Sequence, residues 1–101
     1  MRRAAKVDDN QSGIIATLRM LGASVEVISE PVDLAVGYCG VTVLAEVKDG
    51  AKSPSRQAHT AQQAKFFREW RGSAVTLTST ADCIGLINVM RKRAVTMMGI
   101  E

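Results

Sequence analysis

The 101-residue chain predicts an α/β domain with a mixed central sheet of about four strands and flanking helices. Three observations carry that expectation. Apolar residues at helical spacing alternate with short β-branched runs in the order helix, strand, hairpin, helix, strand, helix. The hairpin, Pro31 to Lys48, sets two apolar runs about a turn at Cys39-Gly40. A length of 101 residues with 47% hydrophobic and 23% charged side chains fits one globular domain, 1–101, with a modest core of its own.

Each element has its own signals. Asp8, Asp9 and Asn10 offer caps for a first helix, and Gln11, Ile14, Ile15, Leu18 and Leu21 share one of its faces. Gly22 ends it as a left-handed cap. Gly13 costs a helix interior about 1 kcal/mol against alanine, so the first turn is expected to be irregular. Ala23 to Ile28 reads as a strand, broken by Ser29-Glu30-Pro31. In the hairpin the residues from Leu34 to Val36 and from Val41 to Ala45 are apolar on both faces save Thr42, which predicts strands covered on both sides.

Asp49 to Ala58 is a polar connector. A helix then runs from Thr60 to about Arg71, where Thr60 and Gln63 form a capping box. Ala64, Phe67 and Trp70 continue its inward face, with Phe66 at the edge. At that spacing Trp70 is expected in the core, with stacking on a base as the alternative. Gly72 stops the helix and Ala74 to Thr78 is another strand. Ser79 and Asp82 start a last helix with Ile84, Leu86, Ile87 and Met90 as its apolar face. The tail from Arg91 to Glu101 extends that helix, packs on a partner or frays.

Composition narrows the functional classes. No apolar run reaches the roughly 18 residues of a membrane span and the start has no signal-peptide core, so a cytoplasmic protein is expected. Cys39 and Cys83 belong to no Cys-x-x-Cys or Cys/His cluster, which leaves zinc unsupported. The net charge of +3 is compatible with phosphate binding and equally with an incidental bias. Its distribution says more: Arg2, Arg3 and Lys6, then Lys48, Lys52 and Arg56, then Arg91-Lys92-Arg93.

The hairpin also carries the chemistry. An even loop centred between Cys39 and Gly40 sets Asp33 directly across from Glu46, with Cβ atoms about 4.5 to 5.5 Å apart. Lys48, two residues on, shares that face. Two acids at contact distance in apolar surroundings are costly unless a proton or cation intervenes. A hard divalent ion such as Mg²⁺ or Mn²⁺ answers that need. The plain alternative is an acid pair at the solvated end of a hairpin, with Lys48 an ordinary partner for Glu46. Lys52, Ser53, Ser55 and Arg56 follow at once and are candidate phosphate contacts, or a solvated connector. Glu30 is a lesser acid, and His59 reads as a bystander before the cap.

Asp33 followed, after a hairpin, by Glu46-Val47-Lys48 resembles the PD-(D/E)XK nuclease core. The longer run through Asp49-Gly50-Ala51-Lys52, with Thr60-Ala61-Gln62-Gln63, Glu69-Trp70-Arg71-Gly72 and the basic start Arg2 to Asp8, is similar to small phage-type nucleases of the VRR-NUC and Holliday-junction-resolvase-like group. Here Val32 intervenes where that family has proline directly before the first acid. The resemblance implies a restriction-endonuclease-like sandwich and metal-dependent hydrolysis of DNA, branched or structured. It implies Asp33, Glu46 and the Val47 carbonyl as ligands of Mg²⁺ or Mn²⁺, with Lys48 positioning water or neutralising charge on phosphorus. Gln63 matches the family's glutamine, which orients water or phosphate. The family's first helix supplies an acid or amide. Gln11 is the candidate, and no glutamate lies between Met1 and Ser24, which favours one metal over two. So small a chain would need two copies to cut paired strands, hence an expected homodimer. Two other classes stay open: a DNA-binding module that no longer cuts, and a small assembly protein using the hairpin as scaffold.

Overall fold

The computed structural model describes residues 9–49 and 60–98. Helix α1 (Asp9–Met20) runs unbroken through Gly13, against the expectation of an irregular first turn. A Cβ on Gly13 would meet nothing within 4 Å, so no packing conflict accompanies its entropic cost. The helix ends as the sequence predicts. Gly22 takes φ +102°, and the N–H groups of Gly22 and Ala23 donate to the carbonyls of Arg19 and Leu18, each at 3.0 Å. Those are the paired bonds of a Schellman cap.

Strands β1 (Ser24–Val27), β2 (Leu34–Tyr38) and β3 (Val41–Val47) follow, then α2 (Ala61–Glu69), β4 (Ala74–Leu77) and α3 (Thr80–Met98). The sheet has the order β1-β2-β3-β4. Its first two pairings are antiparallel and β3–β4 is parallel, a mixed sheet as expected. Cys39 and Gly40 form the hairpin turn with φ +54° and +78°, the two positive values a type I′ turn requires. That turn fixes the register Leu34↔Ala45 through Tyr38↔Val41, which is the pairing read from the sequence.

Period two then decides what is buried. Leu34 and Val36 of β2 and Val43, Ala45 and Val47 of β3 point into a core closed by Ile14 and Leu18 of α1 and by Cys83, Leu86, Ile87 and Met90 of α3. Leu18 and Met90 are fully buried, so truncating either to alanine is a change of about 2 to 5 kcal/mol. The intervening residues sit on the other face, where Ala35, Gly37 and Leu44 are half-buried and Thr42 is exposed. Coverage of the second face is therefore partial, less than the expectation of strands covered on both sides. Both long helices share one face, while α2 meets the opposite face through Gln63 and buries none of its own residues. Ala64, Phe67 and Trp70 therefore do not form core. The C-terminal segment resolves in favour of the helix, which continues to Met98.

Candidate functional site

Asp33 stands one residue before β2, and Glu46 is the next-to-last residue of β3. Both alternate with core residues, so both belong to the sheet face that the two long helices leave open. Glu46 is the anomaly of that face, because it is only 3% exposed. Its Oε2 accepts a 2.6 Å hydrogen bond from the Gln63 amide and lies 3.3 Å from Lys48 Nζ. Lys48 Nζ in turn donates to Gln63 Oε1 at 3.2 Å. The three side chains close a triangle. Asp33 is tied in beside it, its Oδ2 accepting the Val47 N–H at 2.8 Å.

Gln63 works at two levels. Its Oε1 also accepts the Thr60 N–H at 3.2 Å, while Thr60 Oγ1 accepts the Gln63 N–H at 3.1 Å. The capping box foreseen in the sequence thus aims the same side chain at Glu46. Local helix chemistry and the site are served by one amide.

The electrostatics are unbalanced. The Glu46 carboxyl is pushed above its ordinary range, first by burial and next by the charge of Asp33, with Lys48 and Gln63 opposing the shift. Glu46 Oε1 is buried and has no hydrogen-bond partner among the described residues. An orphaned buried acceptor carries an uncompensated desolvation cost. Mg²⁺ or Mn²⁺ fits this donor set, since each takes carboxylate oxygens and keeps several waters of its own. Among the described residues no group of three or more His, Cys, Asp or Glu gathers for a metal, so Asp33 and Glu46 are the two carboxylates at hand.

Asn10 is a residue that sequence reasoning missed. Read as one of three caps, it instead reaches sideways from α1, its amide donating to the carbonyls of Lys48 at 2.6 Å and Thr78 at 3.2 Å. That bond fixes the backbone from which the Lys48 side chain departs. No local signal marks it, because residues 10, 48 and 78 meet only in the folded chain. Gln11 is buried at 7% exposure, yet among the described residues no hydrogen bond joins it to the triangle. The structure thus brings together Asp33, Glu46, Lys48 and Gln63. Glu30 is exposed. Lys52, Ser53, Ser55, Arg56 and His59 lie outside the described residues, as do Arg2, Arg3 and Lys6.

No family model, curated protein or solved structure matches the chain. No helix among the described residues is long and apolar enough to cross a membrane.

Proposed function

We propose that this chain is a metal-dependent deoxyribonuclease that hydrolyses phosphodiester bonds, on a restriction-endonuclease-like fold. The observation that carries the reading is the orphaned, buried Oε1 of Glu46 beside Asp33, whose charge Glu46 feels. Asp33, Glu46 and the Val47 carbonyl would hold Mg²⁺ or Mn²⁺. When bound, such an ion polarises a phosphoryl oxygen and acidifies a water. The chain's own residues do the rest. Asp33 keeps its orientation through the Val47 N–H, and Lys48 supplies a fixed positive charge where negative charge develops on phosphorus. Gln63 holds both Glu46 and Lys48 in place and orients water or phosphate. DNA as partner, a homodimer able to cut paired strands and a cytoplasmic setting belong to the same proposal.

The test is cleavage of junction, flap and linear DNA in parallel, with and without Mg²⁺ or Mn²⁺, by the native chain and by Asp33→Asn. Metal-dependent cleavage by the native chain and none by the variant, with DNA binding retained, is expected. Full activity in Asp33→Asn refutes the assignment. Binding without cleavage under every metal condition favours the non-cutting module, to which the absence of a glutamate from α1 already leans.

A further inference from the structure

Four residues of α2 and its cap, Gln63, Phe66, Phe67 and Trp70, recur at three-, four- and seven-residue spacing and so lie on one stripe. Gln63 heads that stripe and touches Glu46 and Lys48. The aromatic rings behind it are not used as core. Phe66 and Phe67 are half-buried, and Trp70 is 47% exposed. The rings are nevertheless ordered against one another. Phe66 and Trp70 stack with centroids 5.3 Å apart and planes 29° from parallel, and Phe67 meets Phe66 edge-on at 5.4 Å. Gly72 lies close to the pyrrole edge of the indole, since a Cβ there would fall 2.8 Å from Nε1. A stacked pair that leaves the indole exposed is a flat apolar surface open to a further ring.

Charge around that surface is mainly positive. Arg71 adjoins Trp70 and is exposed, and the exposed Arg93 of α3 donates to Ser73 Oγ three residues past the indole. The one acid of α2, Glu69, stands three residues from Phe66, at the border of the aromatic stripe. Seven residues separate Gln63 from Trp70, a rise of about 10 Å, or about three steps of a stacked DNA strand. We propose that the Phe66–Trp70 stack receives an unpaired DNA base a few nucleotides from the phosphate held at Glu46 and Lys48, with Arg71 and Arg93 against the flanking backbone. Base stacking is indifferent to sequence, because every base has a π-face. The substrate so selected is DNA with single-stranded character beside the cut. The inference rests on the hydrolase reading and specifies its substrate.

Trp70 is the single tryptophan of the chain, which makes it a reporter of its own contact. With metal withheld, the full-length protein is titrated with an oligothymidine strand, the same strand made abasic, and a blunt duplex, while anisotropy of a labelled strand follows binding independently. Emission quenched by oligothymidine and not by the abasic strand or the duplex is expected. Trp70→Ala and Phe66→Leu should each weaken oligothymidine binding about tenfold, the scale of one base stacked on an aromatic ring. Both should leave the duplex unchanged. Two variants guard against a folding defect in either. Binding with unaltered emission overturns the platform and leaves the hydrolase reading standing. No binding of any DNA, with no cleavage, removes both. Emission that shifts with protein concentration in the absence of DNA shows a second copy covering the rings, and overturns the platform as well.

Discussion

Two carboxylates in this molecule occupy opposite electrostatic states. Asp82, in the first turn of α3, accepts both the N–H and the hydroxyl of Thr78, each at 2.8 Å. Its own N–H is received by Ser79 Oγ at 3.2 Å. The backbone bond from Thr78, followed by its hydroxyl, holds the Asp82 carboxyl below its ordinary range. Glu46 is held above its range by burial and by Asp33, with one oxygen unpartnered. A carboxylate that serves the fold is supplied with donors. One that is buried beside a second acid and left short of them is costly to the fold, and the contrast marks where the chain departs from what stability alone requires.

The sharpest way to break that contrast is Lys48→Met, which strips the near-buried Glu46 of its counter-charge. About 3 kcal/mol of stability should be lost at neutral pH, the lower end of the range for a broken buried pair, because Lys48 itself is 14% exposed. The loss should shrink in acid, where Glu46 takes up a proton. Equal urea midpoints for variant and native chain at neutral pH would mean the ion pair is idle. Asp82→Ala comes next, costing about 1 kcal/mol through the lost start of α3. Because the folded carboxyl is lowered, its contribution is present above 3.8 and disappears as the pH falls below that value. A cost that persists undiminished in strong acid points to packing instead of charge.

The smallest change has the opposite sign. In Glu46→Gln the amide oxygen can keep its bonds from Gln63 and Lys48, while the buried charge beside Asp33 is removed. Stability should rise slightly, and on the proposed function cleavage should be lost, the trade expected of a strained site. For the native chain the raised folded value means that Glu46 binds its proton more tightly when folded, so its contribution to stability falls as the pH rises above 4.5. Glu46→Gln should flatten that limb of the pH profile and leave the Asp82 limb intact. Urea denaturation across pH reads both.

The hairpin was legible because its information is local. Alternation and a two-residue turn suffice to pair Leu34 with Ala45 and so to set Asp33 beside Glu46. The capping box at Thr60 and Gln63 was legible for the same reason. Burial on the second face was not. Val, Leu and Ala on alternate positions look alike whether a helix covers them or not, and only the tertiary arrangement sends α1 and α3 to the same side. The expectation that Trp70 joins the core failed on the same point, since helical spacing names a face without naming what lies against it. Asn10 failed differently, through contacts 38 and 68 residues away.

One consequence of the parallel pairing of β3 with β4 concerns how such a molecule is altered. The chain between residues 47 and 74 is a crossover fixed to the sheet at each end, at its start through Lys48 N–H to the Leu77 carbonyl and at its finish through Leu44 N–H to the Ser73 carbonyl. Lengthening a closed loop costs only about 0.6 kcal/mol for each doubling. The crossover carries Gln63 and the aromatic rings, yet α2 adds no buried residue to the domain. On the proposed reading, selectivity would be housed in a segment that can be rewritten at little cost to the core, provided Gln63 keeps its bonds to Glu46 and Lys48.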